Sequence, residues 1–207
     1  MAKPDRIPLF PLDVVLLPAM PLPLHIFEPR YKVMIRRCLD EKLEFGMVLA
    51  SDQSTAKVGC TAAIQRIIKE YPDGRMDILT QGRSAFRLAE VLEEKEYYEG
   101  SVEYLPDEPS EISAAKETEL VELVEQCHVL LFGRPWDEGE PSDPATLAYR
   151  MAARLPMELA HRQTLLEMRK EEERRRFLLE WLTKLLPQLT ERERKRQRAS
   201  GNGHGFN

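Results

Sequence analysis

Residues 7–31 read IPLFPLDVVLLPAMPLPLHIFEPRY. Prolines at positions 8, 11, 18, 21, 23 and 29 are threaded through an almost unbroken run of large apolar side chains. Proline fixes φ and removes a backbone donor, so the stretch cannot be a long helix or a central strand. Its apolar content nevertheless demands burial. The simplest solution is a set of short strands, at residues 7–9, 14–17 and 22–26, joined by stiff proline corners. The last runs into a helix opening at Glu28-Pro29, where the missing N–H of Pro29 costs nothing. Beyond it, Tyr31, Met34, Ile35, Cys38 and Leu39 recur at helical spacing and predict one amphipathic helix.

Working outward, residues 45–50 (FGMVLA) predict a buried strand, residues 51–57 a polar loop and residues 58–70 a long strand. Tyr71-Pro72-Asp73-Gly74 supplies turn chemistry: proline presets φ and glycine accepts positive φ. The returning strand covers residues 75–81, Gly82 is expected to break it, and residues 84–92 and 97–105 predict two more strands. Short antiparallel strands with proline corners predict a small, partly open barrel over residues 1–106, carrying one helix.

The composition changes at Pro106-Asp107-Glu108-Pro109. From there the periodicity is helical, so residues 107–190 predict a small helical bundle. Ser110 or Ser113 caps a helix whose stripe is Ile112, Leu120, Leu123, Val124, Cys127, Leu130 and Leu131, and Gly133 ends it. A loop at residues 134–142 contains Trp136. Asp143-Pro144 opens the next helix, and Pro156 a short one to Met168. A last helix spans residues 171–186, with Phe177, Leu178, Trp181, Leu182, Leu185 and Leu186 turned inward. Pro187 is expected to interrupt it, and residues 191–207 to form a flexible tail. The fold class is therefore α+β.

Composition narrows the function. The 207 residues are 43% hydrophobic and 31% charged, ordinary for a globular protein. No apolar run is long enough for a membrane span, and the first residues lack the apolar core of a signal peptide. Three widely spaced cysteines, Cys38, Cys60 and Cys127, point to a reducing compartment and hence the cytoplasm. The net charge is −5, and residues 93–125 carry twelve acidic side chains against Lys95 and Lys116. Such a belt repels phosphates and disfavours nucleic acid as a partner.

Catalytic chemistry finds little support. Cys127 and His128 are adjacent and point to different helix faces, so they do not make a zinc site. His25 reads as a structural histidine. No G-x-S-x-G elbow occurs, a Ser84–Lys57 dyad has nothing to bring it together, and Glu117, Glu119, Glu122 and Glu125 read as a solvated helix face. No phosphate-binding loop is present. No metal, cofactor or catalytic residue is assigned.

Dispersed motifs point to a family. PLFPLDVVLLPAMPLPLHIFEPRY resembles the opening of the Lon protease N-terminal domain, a PUA-like substrate-binding domain. VGCTAAIQRIIKEYPDGRMDILTQGRSAFRL resembles its paired strands, and LAYRMAARLPMELAHRQTLLEM its helical lobe; the similarity covers residues 7–187. It implies a PUA-like β pseudobarrel followed by helices, without the ATPase and peptidase modules, and a noncatalytic module that captures unfolded or tagged polypeptides for a Lon-type protease. Such capture needs exposed apolar surface. Three places are candidates: the helix entrance with Phe27, Glu28, Arg30 and Tyr31; the groove beside the Pro106–Pro109 hinge; and the loop with Phe132 and Trp136. The alternative is RNA binding, since PUA-like folds include RNA binders; its support is the arginine run 174–176 and the basic stretch 192–198.

Overall fold

The computed structural model describes residues 3–51, 54–111, 114–136 and 146–201. Its elements run β1 (Arg6–Leu12), β2 (Pro21–Ile26), α1 (Pro29–Asp40), β3 (Phe45–Ser51), β4 (Ser54–Thr55), β5 (Val58–Glu70), β6 (Met76–Leu92), β7 (Glu99–Tyr104), α2 (Ala114–Phe132), α3 (Leu147–Ala153), α4 (Leu159–Glu167) and α5 (Glu171–Gly201). The expected α+β order, β barrel then helices, is what forms.

Strands β1, β7, β6, β5 and β3 pair in sequence, and a parallel β1–β3 ladder, Leu9 to Gly46 through Leu12 to Leu49, closes the ring. Closure removes the open edges that a flat sheet would carry. Ile7, Leu9, Val48, Phe86 and Val102 form a small buried cluster of their own. The lumen is so narrow that one ring occupies much of it. A Cβ on Gly59 would lie 2.6 Å from the tip of Phe86, and one on Gly46 2.8 Å from the same atom. Glycine at both positions is thus a packing requirement.

Two expectations about this lobe are corrected. Residues 14–17 form no strand; Val15, Leu16 and Leu17 are buried in an irregular segment. Its backbone is satisfied instead at β6, where Ala19 N–H donates to Gly82 O and Gly82 N–H donates to Met20 O, both at 2.9 Å. Gly82 accordingly does not break the strand. It lies within the continuous β6, because a Cβ there would sit 2.1 Å from the Leu17 carbonyl oxygen. Only glycine lets the buried segment approach that closely.

The first half of β6 extends beyond the barrel. Residues 76–81 pair with β2 on one side and with residues 63–70 of β5 on the other. This three-stranded apron carries Leu22, Leu24, Ile26, Met76 and Ile78 on its inner face, the last three fully buried. They join Tyr31, Met34, Ile35 and Cys38 of α1 in the main core.

That core continues without interruption into the helices: Leu120, Val124 and Cys127 of α2 and Leu178, Leu182 and Leu189 of α5 belong to the same cluster. A polar node completes the junction. The Arg174 side chain is wholly buried and donates to Glu171 (2.9 Å), Asp107 (3.0 Å), Tyr149 Oη (3.1 Å) and Met168 O (3.1 Å). Asp107 comes from the proline hinge, so the hinge is tied down by an ion pair to a buried arginine.

Helix α5 also departs from expectation. It runs through Pro187 to Gly201 rather than stopping. Proline removes one N–H donor, and its ring faces the solvent side, where Pro187 and Gln188 are exposed. Downstream, the Lys195–Glu191 ion pair (2.7 Å) and the Gln197–Glu193 hydrogen bond (3.1 Å) support the next turns at i, i+4 spacing. The helix therefore occupies residues expected to be irregular. Ile112, Ser113 and the Asp143-Pro144 start lie outside the described residues.

Candidate functional site

Seven large apolar side chains among the described residues are exposed: Phe27, Val33, Ile67, Ile68, Val91, Val129 and Phe132. Four of them, Phe27, Val33, Ile67 and Ile68, lie on the apron or on α1 beside it, which singles out this end of the molecule.

The chain folds this way for legible reasons. Alternation along β2 sends Leu24 and Ile26 inward and leaves Pro23 and His25 on the outer face. The strand then ends, and Phe27 projects into solvent, 59% exposed, just before the helix. Its ring stacks on His25 at 5.9 Å, and His25 meets the Tyr71 ring edge-on at 6.0 Å. Asp77, opposite His25 in register, binds the group together. It accepts from His25 Nδ1 at 2.5 Å and from Tyr71 Oη at 2.8 Å. Those hydrogen bonds, from His25 first and Tyr71 second, hold the Asp77 carboxyl below its ordinary range; the Asp77 bond raises the Tyr71 phenol. Lys69 and Arg75 lie over the Tyr71 ring at 4.5 and 5.0 Å.

Around the hairpin turn, Lys32 donates to Asp73 O at 3.0 Å, and Arg36 pairs with Glu70. Val33, Lys32, Arg36 and Gly74 line a shallow recess of about 490 Å³ there. This end of the molecule thus carries exposed apolar side chains, a fixed aromatic–imidazole–carboxylate cluster and paired charges.

The sequence-predicted residues divide. Phe27 is exposed, and Glu28 and Arg30 pair at 2.9 Å at the start of α1. Tyr31 is only 4% exposed; its ring sits 4.2 Å from Phe10, with the Arg30 guanidinium 4.5 Å from its outer side. Tyr31 is therefore held in the core rather than offered to a ligand. Phe132 is half-exposed at the end of α2, 4.6 Å from His128. Together with Arg134, Pro135 and Arg154 these two line a separate recess of about 420 Å³. Trp136 is 7% exposed and packs into the main core, so its ring is likewise withdrawn. At the hinge, residues 106–109 are exposed, Asp107 pairs with the buried Arg174, and Leu105 belongs to the main core.

Ile67, Ile68 and Val33 were missed. The signal was present in residues 64–70, IQRIIKE: two adjacent isoleucines break period-2 alternation, so one must leave the buried face.

The chemistry elsewhere is quiet. Ser84 hydrogen-bonds Lys3 Nζ at 2.5 Å, whereas Lys57 serves through its carbonyl, which accepts from Leu88 N–H. All three cysteines are buried free thiols. Burial pushes Cys38 up to about 12 and Cys127 up to about 11, and raises Cys60 as well, away from thiolate reactivity. Arg174 and Arg175, read from sequence as part of a basic run, are buried in ion pairs with Glu171, Asp107 and Glu117 and are withdrawn from any phosphate.

Comparison with known proteins now decides the family. The profile of the ATP-dependent protease La (LON) substrate-binding domain matches residues 6–184. This chain belongs to that family. It is 27% identical over 209 aligned positions to Lon protease of Escherichia coli K12, covering 93% of this chain but 26% of that protein. The Desulfovibrio desulfuricans Lon protease is 28% identical, over 79% of this chain and 20% of its own length. The chain thus spans about a quarter of the curated relatives it matches. Among solved structures, the Lon N-terminal domain protein from Xanthomonas campestris superposes with a TM-score of 0.68 at 27% identity, covering 85% of this chain and 98% of that one. The N-terminal domain of Mycobacterium avium complex Lon protease gives 0.63 at 17% identity, over 86% and 98%, a likeness of fold. The match is to the substrate-binding part of the protease. No helix among the described residues is long and apolar enough to cross a membrane.

Proposed function

We propose that this Lon-type substrate-binding domain is a noncatalytic module that captures unfolded polypeptide, with the apron as the capture surface. The observation carrying this reading is the clustering of Phe27, Val33, Ile67 and Ile68 at one end of a protein whose other large apolar side chains are mostly buried. Unfolded chains expose apolar side chains that folded proteins hide, and a patch of this kind discriminates between them by burying that surface on contact. Family membership supports polypeptide as the ligand and an ATP-dependent protease as the partner that consumes it. The buried thiols support work in a reducing, cytoplasmic setting. RNA binding loses part of its support, because Arg174 and Arg175 are internal, whereas Arg176 and most of residues 192–198 are exposed.

The test is a binding titration of one labelled protein in two states, native and permanently unfolded by thiol alkylation. The unfolded form should bind at least about tenfold more tightly, a difference of about 1.4 kcal/mol, and the binding should persist in high salt. Equal affinity for both forms would refute capture of unfolded chains.

A further inference from the structure

A separate recess of about 490 Å³ opens where the end of α1 meets β5 and β6. It is lined by Leu39, Leu43 and Ile64, by Glu44, and by the cations Lys3, Lys42 and Arg83. Its polar groups are ordered by hydrogen bonds. Lys3 Nζ donates to Ser84 Oγ at 2.5 Å, Ser84 N–H donates to Thr61 Oγ1 at 3.1 Å, and the Thr61 hydroxyl donates to Glu44 Oε2 at 2.6 Å.

The charge of this recess has a sign that its surroundings do not cancel. Lys42 and Arg83 are exposed, and among the described residues neither side chain meets a carboxylate. Asp40 and Glu41, which precede Lys42, line the recess at Val33 instead, beside Arg36 and Arg37. Glu103, next to the Tyr104 ring under Lys3, pairs with Arg87 at 3.2 Å. Three cations therefore share the recess with one carboxylate, in a chain of net charge −5.

Lys42 carries the second observation. Helix α1 closes with Glu41 N–H donating to Arg37 O and Leu43 N–H donating to Cys38 O, both at 2.9 Å, and the residue between takes φ +54°. That left-handed position ordinarily falls to glycine, because a Cβ strains it. A cation is favourable anywhere in the last turn of a helix. The helix dipole thus does not account for lysine at the one position where its backbone is strained.

We propose that this recess binds a small organic phosphate ester bearing a hydroxyl group. A compact dianion is the partner that several cations free of carboxylates select. Its phosphoryl oxygens meet Lys3, Lys42 and Arg83. The Ser84 hydroxyl accepts from Lys3, so its own proton goes to the same phosphoryl group. Glu44 Oε1, which Thr61 leaves unused, accepts the ligand hydroxyl, and the carbon skeleton lies over Leu39, Leu43 and Ile64. The site shares no residue with the capture surface and stands independently of that reading.

The intact chain is titrated calorimetrically with ribose 5-phosphate, ribose, ethyl phosphate, inorganic phosphate and a short single-stranded RNA. Ribose 5-phosphate should bind at least about fivefold more tightly than ethyl phosphate or inorganic phosphate, and ribose should not bind. Lys42→Gly and Arg83→Gln should each weaken ribose 5-phosphate at least about fivefold. A lysine kept for the fold and one kept for a ligand separate here: Lys42→Gly should melt about 2–4 °C higher, as relief of backbone strain requires, while its binding falls. Unchanged binding by Lys42→Gly would overturn the site, as would no binding of ribose 5-phosphate at about 10 mM. Equal affinity for inorganic phosphate would overturn the ester. Binding of the RNA alone would assign these cations to a nucleic-acid backbone and overturn the proposal.

Discussion

The Tyr31 ring lies 4.2 Å from the Phe10 ring, so the first turn of α1 is pinned to β1 by an aromatic pair inside the core. Four residues earlier, Phe27 points into solvent. Two aromatic residues that look alike in the sequence therefore do different work. Tyr31→Ala should lower unfolding stability by about 3 kcal/mol, the cost of a cavity left by a buried ring. Phe27→Ala should change stability by no more than about 0.5 kcal/mol. Urea unfolding of both variants distinguishes them; a Tyr31 variant of native stability would show that its ring is dispensable to the core.

The barrel lumen makes a sharper demand. A Cβ at Gly59 would lie 2.4 Å from the Met47 carbonyl oxygen as well as against Phe86. Backbone cannot yield as a side-chain tip can. Gly59→Ala should cost at least about 3 kcal/mol or prevent folding, at the upper end of overpacking penalties. Circular dichroism with thermal melting reports it, and a variant melting with the parent protein would contradict the packing described.

Glu99 gives a pH signature. Its buried carboxylate accepts from Arg6 (2.8 Å), Arg37 (2.7 Å) and Lys95 (2.7 Å). Burial alone would raise its pKa, but the hydrogen bonds from Lys95, Arg37 and Arg6 outweigh it and hold the group at about 2. An unfolded glutamate titrates near about 4.3, so the unfolded chain takes up this proton first as pH falls. The contribution is complete above about pH 5 and is lost as pH drops toward 2, amounting to about 2–3 kcal/mol. Glu99→Gln should be less stable at pH 7 and should lose less stability across that window. Parallel pH dependences for the two proteins would remove Glu99 from the account.

The Arg174 node predicts how the lobes are held. Arg174→Ala leaves the buried Glu171 with Arg175 in place of two arginines and frees Asp107, at a cost of about 2–3 kcal/mol, below that of a buried charge left wholly unpaired. Arg174→Lys should recover only part of this, since a single ammonium cannot match the planar fork. Full rescue by lysine would show that charge alone suffices.

Much of this fold was legible. The i, i+3, i+4 spacing of Tyr31, Met34, Ile35 and Cys38 places α1, and Tyr71-Pro72-Asp73-Gly74 places the hairpin turn, because both signals are local. What escaped depends on distant approach. Gly82 reads as a breaker in isolation; only the Leu17 carbonyl against it explains why the strand runs on. Pro187 reads as a stop, yet its helix persists where the ring faces solvent. The site was half legible for the same reason. Phe27 was nominated with Tyr31 because both flank one turn, and sequence carries no measure of which ring finds Phe10. Ile67-Ile68 announced a bulge, but not that the bulge lies on an open edge.

The central claim is that the apron's exposed apolar side chains capture unfolded polypeptide. It is tested most directly by a variant carrying Phe27→Ser, Ile67→Ser and Ile68→Ser together, titrated with an alkylated unfolded protein alongside the parent chain. The account predicts a melting temperature within a few degrees of the parent, since these side chains are exposed, and at least about a tenfold loss of affinity. A folded triple variant that binds the unfolded protein as tightly as the parent would contradict it.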